Sequence, residues 1–514
     1  MKKTDELTKL IASLSKSEKR YISLAIKQQK SSKAHHQLFQ ALERNGDALG
    51  GYDKIPVNHL PVVKNYLYNS ILKNLRNFHS ESNAHVRIGE TLIDIDILQR
   101  KKLTDQVRKR LDKLKKLVES ENLELQLLYY MLERHLAGLL FNDTSENNLS
   151  QVHKKQRELI KQIDNLYEYN ELNDRLRYFL EKKGEIRSKA DEKFIRDMIA
   201  ESLFTNVKKA LSRKAKINYH ATLGMCYYLL ADYKNALLQL DEEAEIYAPN
   251  MDTNERDLFF YTIILNNKAG ILWGLKKYTE AFNTVKKISP QIILKSSKLK
   301  LSALSFLKIE LMFYEKLFFF YTDAANYEHC IKLIPVIEEK IKGYDKRPPQ
   351  IYVHPLNYSF AYVNFAAGNY KQTLRYLERI FSYSKEDLEM RQDIYCFAKI
   401  LYVLVHYELG TEDLPNYLIR STHRFLSGKE RIYKVEETIL AFIKNKLLKY
   451  PSAKLLSDDL RILKEKLELI TLDPKEKKAF QYFDFIAWVD SKMTGKPFID
   501  LLKKKRYHPL PFID

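Results

Sequence analysis

The chain has 514 residues, 45% of them hydrophobic and 30% charged, so its composition excludes a disordered polymer and provides for a large core. Its 14 glycines and 14 prolines are too few for the many turns of an all-β protein, and long stretches show helical spacing. The formal net charge of +20 favours acidic partners: nucleic acid, an anionic membrane surface or an acidic protein.

The first 80 residues predict a small, basic helical module. "LTKLIASL" predicts a short amphipathic helix, and "SKSE" at 15–18 predicts a capping box that opens a second one. A third helix is expected over 34–44 and a fourth over 60–78. Residues 1–80 carry 14 Lys and Arg against 6 Asp and Glu, which gives the module its charge.

Residues 81–216 predict more divergent helical hairpins. The expected pairs are 83–99 with 103–119, 122–141 with 146–168, and 171–184 with a helix from about 190 to 211.

Four similar stretches follow: "ADYKNALLQL" at 231–240, "KKYTEAFNTV" at 276–285, "ANYEHCIKLI" at 325–334 and "GNYKQTLRYL" at 368–377. Their tyrosines recur every 43 to 49 residues, a period typical of stacked helical hairpins. We expect each tyrosine to begin the second helix of a pair. The residue three positions later should face the first helix, where a small side chain permits close approach; these residues are Ala236, Ala281, Cys330 and Thr373.

The stretch "HATLGMCYYLLADYKNALLQLDEEAEIYAPN" at 220–250 resembles a tetratricopeptide repeat. The residues that carry the resemblance are Leu223, Gly224, Tyr227, Ala236, Leu240 and Pro249. His220 stands where the family has tryptophan, and the longer period implies longer helices. The resemblance implies a right-handed α-solenoid of antiparallel helix hairpins, clearest over 217–382.

The glycine position of the repeat becomes Ala269, Phe318 and Ala361 in the next three units. Phe318 is large, so we expect the third hairpin to splay or to shift its register.

Residues 383–514 predict further helical hairpins and a cap. The expected pairs are 386–409 with 412–426, and 429–449 with 452–470. The aromatic stretch "KEKKAFQYFDFIAWVDSKM" at 475–493 is expected to form a capping helix over the open end of the stack, because a terminal repeat must cover exposed core.

The resemblance also implies that the first helices line a concave groove for a partner. The groove positions are occupied by Asn218, Met225, Tyr228, Asn266, Trp273, Glu315, Phe319, Tyr358, Tyr362 and Phe365. Aromatic side chains beside an asparagine could anchor and clamp a peptide. The alternative is that longer helices bury these rings in ordinary core.

Motifs for catalysis and cofactors are absent from the sequence. It has no glycine-rich phosphate loop, no H-E-x-x-H, no G-x-S-x-G and no paired CxxC. We therefore expect no enzyme, no cofactor and no metal site.

The chain is expected in the cytoplasm. Its three cysteines are far apart and suit reduced core positions, its first residues do not resemble a secretory signal, and no apolar run approaches the roughly 18–20 residues of a membrane helix.

These patterns favour a non-enzymatic cytoplasmic scaffold or adaptor that binds a protein or peptide, with an acidic partner suited to the charge. The alternative is a nucleic-acid-binding regulator with the basic module in front of a helical-repeat sensor. The connection at 45–58 is too long for the turn of a strict helix-turn-helix. A second basic stretch, 100–120, spaces its apolar residues along one face and has no aromatic residue for base stacking. Partner identity and oligomeric state stay open.

Overall fold

The computed structural model describes most of the chain, and within the described ranges every regular element is a helix. The described residues are 6–28, 33–45, 59–79, 84–119, 123–139, 146–183, 186, 188–296, 299, 301–344, 348–383, 392–410, 420–422, 424, 434–447, 457–473, 476 and 478–512. The all-α class predicted from the sequence is therefore confirmed.

The described helices are numbered in chain order. The first eight are α1 (Glu6–Ser13), α2 (Lys16–Gln28), α3 (Lys33–Asn45), α4 (Leu60–Phe78), α5 (Ala84–Arg100), α6 (Thr104–Val118), α7 (Leu123–Leu139) and α8 (Glu146–Lys183). Next come α9 (Lys189–Ile199), α10 (Arg213–Leu229), α11 (Tyr233–Tyr247), α12 (Glu255–Gly274), α13 (Tyr278–Lys287), α14 (Pro290–Ser296), α15 (Ala303–Asp323) and α16 (Tyr327–Gly343). The last are α17 (Gln350–Ala366), α18 (Tyr370–Phe381), α19 (Gln392–Glu408), α20 (Lys434–Phe442), α21 (Ser457–Ile470), α22 (Phe485–Thr494) and α23 (Phe498–Arg506).

The chain forms two compact units, Met1–Glu168 and Tyr169–Asp514. The division into segments 1–80, 81–216, 217–382 and 383–514 stays a prediction. Parts of the predicted hairpins near 386, 412–426, 429–433 and 448–456 lie outside the described residues.

Helices α1 to α4 share one apolar core, as the sequence predicts for the first module. Its fully buried centre is formed by Ile22, Leu38, Phe39, Leu67 and Ile71. The capping box is present: the Ser15 backbone N–H donates to Glu18 Oε2 over 2.6 Å, and the Glu18 N–H donates to Ser15 Oγ over 3.3 Å.

Helices α5 and α6 form the expected antiparallel pair. The apolar stripe of α6 is buried at Val107, Leu111, Leu114 and Val118. Leu103, the first residue of the expected stripe, precedes the helix and is 39% exposed. The remaining surface of α6 carries the lysines and arginines, which are mostly solvated.

Two expectations between 146 and 211 are wrong. Residues 146–168 and 171–183 belong to one helix, α8, because Leu166, Tyr169, Leu172 and Leu176 continue a single buried stripe across the predicted break. The helix expected to reach 211 ends at Ile199 instead. Extended backbone at Asn206 interrupts the helical path, and two short 3₁₀ turns follow α9 before Ser212 caps α10.

The four tyrosine repeats are helical hairpins, and each tyrosine is the first residue of its second helix: α11, α13, α16 and α18. The small residues three positions later are at most 1% exposed, as expected for side chains that face the first helix; they are Ala236, Ala281, Cys330 and Thr373. Both predictions are confirmed.

The same turn joins the helices of each pair. The residue two positions before each tyrosine takes a left-handed conformation. The residue directly before the tyrosine donates its N–H to the carbonyl five residues earlier. This bond closes the first helix in a Schellman motif. The left-handed residues are Ala231, Lys276, Ala325 and Gly368. Lys102 repeats the geometry between α5 and α6. Glycine is the usual residue for this conformation, so the sequence marks the turn only at Gly368.

The third hairpin keeps the register of the first despite Phe318. Cys330 Sγ lies 3.8 Å from the carbonyl oxygen of Phe318, which is twelve residues earlier in the chain. Ala236 likewise packs against Gly224, also twelve residues earlier. The Phe318 ring lies 5.2 Å from the ring of Phe360 on α17. The register shift is therefore absent, because the large ring packs on the neighbouring hairpin; the other expected outcome, a splayed hairpin, stays a prediction.

The described part of the aromatic stretch, 479–493, is mostly buried in the large core of the second unit. Phe483, Phe485 and Trp488 are at most 2% exposed, and Trp488 Nε1 donates to Glu408 Oε1 over 2.8 Å. Helix α23 follows it and packs on α22. None of the helices in the described ranges combines the length and the apolar character that a membrane crossing demands.

The turn geometry predicts that a glycine-to-alanine substitution has opposite effects on stability at Gly368 and Gly274. Gly368 has a φ of +77°, and an added Cβ would meet no heavy atom within 4 Å. Gly368→Ala should therefore lower the free energy of unfolding by about 1 kcal/mol, because left-handed backbone costs an L-residue about 1–2 kcal/mol.

Gly274, at the helical end of α12, has the same open space, so it serves as the control. Gly274→Ala should raise the free energy of unfolding by about 0.5–1 kcal/mol. Urea denaturation measures both variants. If Gly368→Ala leaves the free energy of unfolding unchanged, a side chain at this left-handed position causes no strain and the prediction is wrong.

Candidate partner-binding site

A pocket of about 280 Å³ opens between α15 and α17 in the second unit. We call it the α15–α17 pocket. Its main lining residues are Glu315, Lys316, Phe319 and Asp323 from α15, Tyr358 and Tyr362 from α17, Tyr482, and Arg506 from α23.

Helix packing brings these side chains together. The first helices α12, α15, α17 and α19 pack consecutively on one another. Glu315 and Phe319 are four residues apart on α15, as are Tyr358 and Tyr362 on α17, so each pair lies on one face of its helix. The two faces meet at the pocket.

A buried ion pair holds Arg506 at the pocket wall. Arg506 Nη2 lies 2.6 Å from Asp484 Oδ2, and the Asp484 side chain is only 1% exposed. Asp323 Oδ1 lies 3.7 Å from Arg506 Nη1, and its other oxygen accepts a 2.8 Å hydrogen bond from Trp273 Nε1. Burial lowers the pKa of Arg506, but Asp484, Tyr362 and Asp323 together more than offset this, so the pKa is raised and the guanidinium stays charged.

Lys316 is the cation of the pocket that has no carboxylate partner within 4 Å among the described residues. Its side chain is half-buried, and Nζ lies 5.8 Å from the centre of the Phe319 ring. Burial lowers the pKa of Lys316, and the nearby Glu315 charge opposes that shift. An anionic group entering the pocket would relieve the cost of this half-buried ammonium.

Four of the ten groove residues predicted from the sequence line this pocket: Glu315, Phe319, Tyr358 and Tyr362. Phe319 is 45% exposed. The two tyrosines are largely buried, and the Tyr358 hydroxyl donates to the Tyr482 carbonyl over 3.1 Å. Burial raises the pKa of Tyr362, which keeps its hydroxyl protonated.

The other six residues lie elsewhere. Trp273 and Phe365 are core residues: the Trp273 ring stacks on Phe320 at 4.1 Å, and Phe365 is 1% exposed. The expectation of an exposed Trp273 anchor is wrong, because the longer helices enclose the ring.

Among the remaining four, Asn218 donates to Asn170 Oδ1 over 2.7 Å and Met225 is half-buried. Tyr228 is 49% exposed and its ring lies 6.1 Å from Tyr233. Asn266 has a buried Oδ1 with no hydrogen-bond partner in the described part of the chain.

Sequence reasoning missed Lys316, Asp323 and Arg506. Lys316 and Asp323 follow groove positions on α15 and could have been found from that helix alone. Arg506 comes from a helix far along the chain, and its approach to the pocket depends on Asp484. No local pattern signals that contact.

The described residues contain no group of three or more His, Cys, Asp or Glu side chains placed to hold a metal ion. No protein-family model, curated protein or solved structure matches this chain. The repeat assignment therefore rests on the helix pairs themselves.

Burial predicts that Trp273 and Phe319 differ sharply in their contribution to stability. Trp273→Ala should lower the free energy of unfolding by about 3–5 kcal/mol, since it removes a buried ring and leaves Asp323 without its donor. Phe319→Ala should cost about 1 kcal/mol or less, because the ring is half in solvent. Thermal or urea unfolding measures both. If Trp273→Ala and Phe319→Ala lower the free energy of unfolding equally, the two rings do not differ in burial as the structure indicates.

Proposed function

We propose that this chain is a non-enzymatic cytoplasmic scaffold or adaptor. Its hairpins form a right-handed, tetratricopeptide-like solenoid over 217–382, and the first helices bind a protein or peptide partner. The observation that carries the proposal is the α15–α17 pocket, where groove residues of two successive first helices surround Lys316, a cation without a carboxylate partner in the part of the chain that the structure describes.

The pocket suits one side chain of a partner. Its volume of about 280 Å³ is below the roughly 300–1,000 Å³ of most small-molecule sites. Phe319 offers an apolar contact and Lys316 a positive charge. The partner is therefore a peptide or protein segment with an apolar residue next to an acidic one.

Lys316 gives the sharpest test. A partner is first identified by affinity purification with the full chain from its native cell. We expect Lys316→Gln to weaken the purified partner's binding about tenfold, roughly 1.4 kcal/mol, through loss of the charge pair. Stability should stay the same or rise, because the variant removes a half-buried charge.

Lys308→Gln is the matched control on the same helix. Lys308 Nζ lies 5.5 Å from the Phe259 ring, away from the pocket lining. Titration calorimetry should give wild-type affinity for this variant. Unchanged affinity for both Lys316→Gln and Phe319→Ala would place the partner elsewhere.

The nucleic-acid alternative is supported by the solvated cations of α6, namely Arg108, Lys109, Lys113, Lys115 and Lys116. Exposed cations alone give sequence-independent binding driven by counterion release. We expect weak binding to duplex and single-stranded probes, with affinity falling steeply as salt rises.

Fluorescence anisotropy at several salt concentrations measures this binding, with the full chain and with residues 1–80 removed. Tight, sequence-selective binding near physiological salt that is lost on truncation would replace the scaffold proposal with the regulator.

A further inference from the structure

The six residues after α23, Tyr507–Phe512, leave the helix and lie against the turn between α15 and α16. We call them the docked segment. Tyr507 is extended, with φ of −57° and ψ of 122°. The segment contacts residues about 180 positions earlier in the chain, at Tyr321, Ala324 and Asn326.

The turn binds the backbone of the docked segment. The His508 N–H donates to the Ala324 carbonyl over 3.1 Å. Asn326 binds on both sides of Pro509: Nδ2 donates to the His508 carbonyl over 2.6 Å, and Oδ1 accepts from the Leu510 N–H over 3.4 Å. The Tyr321 hydroxyl donates to the Pro511 carbonyl over 2.8 Å.

These contacts suit alternating prolines. Proline has no N–H, so Pro509 and Pro511 need no acceptor from the turn. The residues that precede the two prolines, His508 and Leu510, are the ones whose N–H groups donate to the turn.

Aromatic side chains bind the two ends of the segment. The His508 ring lies 4.9 Å from the Tyr278 ring. The Phe512 ring lies 5.2 Å from His329, and Lys332 Nζ lies 5.7 Å from its centre. The site therefore spans the second and third hairpins.

The turn and its occupant differ in burial. Tyr321, Ala324, Ala325 and Asn326 are at most 4% exposed with the docked segment in place. Tyr507 is 59% exposed, and His508, Pro509 and Pro511 are also exposed. Leu510 and Phe512 are half-buried and pack against the core, so the occupant is held both by these two side chains and by backbone hydrogen bonds at the surface.

We propose that this turn is a second peptide-binding site, for extended segments of the pattern x-Pro-x-Pro-aromatic, and that residues 507–512 are its tethered occupant. A partner segment with this pattern displaces them. Tethering gives the docked segment an effective concentration on the order of millimolar, so a free peptide binds better once the segment is removed.

The test uses a fluorescent peptide, RYHPLPFID, which reproduces residues 506–514. The proteins are the full chain, the full chain with Phe512→Ala, and the chain ended after Arg506. We expect the shortened chain to bind the peptide about tenfold tighter than the full chain, with Phe512→Ala in between. A peptide with both prolines changed to alanine should bind at least about threefold more weakly, because it loses the φ that proline fixes and has more conformational freedom to lose on binding.

Asn326→Ala in the shortened chain should weaken binding about tenfold, since it removes both amide contacts. Asn369→Ala is the matched control: Asn369 occupies the equivalent turn position before α18, where it contacts Asn364. It should leave binding unchanged, as should Lys316→Gln, which tests the α15–α17 pocket separately.

Absence of peptide binding to the shortened chain at about 1 mM would overturn the proposal, as would equal effects of Asn326→Ala and Asn369→Ala. If the shortened chain does not fold, the Phe512→Ala full chain decides in its place. Peptide affinity no higher than that of the wild-type full chain would then overturn the proposal.

Discussion

The left-handed turn between paired helices is the constraint on which the rest of the second unit depends. The first helix ends with a hydrogen bond from the N–H of the residue before each tyrosine to the carbonyl five residues earlier. The second helix begins at that tyrosine. The angle between the helices is thereby fixed, and a small residue three positions later permits their close contact. Because each hairpin buries only part of its apolar surface, successive hairpins must stack, and their first helices come side by side. Both candidate binding sites arise from that stacking.

A second constraint is the buried Asp484. Its Oδ1 caps α22 by accepting from the Ala487 N–H over 3.0 Å, and its Oδ2 accepts from Lys505 and Arg506 on α23. A carboxylate that is 1% exposed must be paired, since an isolated buried charge is expensive. The pairing fixes the end of α23, so it places Arg506 at the α15–α17 pocket and starts the docked segment beside the third turn. One carboxylate thus supports both sites.

The two proposed sites suit different features of a peptide. The pocket offers a charge and an apolar surface to one side chain, whereas the turn contacts the backbone of an extended, proline-containing segment. Both belong to rigid helical elements, and a rigid receiving surface reduces the entropy lost on binding. Asn326 contacts the backbone of an extended segment of this chain, whereas Asn218, one of the predicted groove asparagines, donates to Asn170.

The sequence by itself determined the helical class, the four hairpins, the residue that begins each second helix and the small residues at their contacts. These features depend on local periodicity and on side-chain size at fixed spacing, which a single stretch of chain displays.

Tertiary structure decided the rest. Trp273 is core while Phe319 is exposed, although both occupy groove positions, because exposure depends on what the neighbouring hairpin covers. Four of the five left-handed turn residues are not glycine, so packing, not local preference, holds them. Arg506 and the docked segment reach their sites through contacts about 180 residues apart in the chain, and no local pattern encodes a contact at that separation.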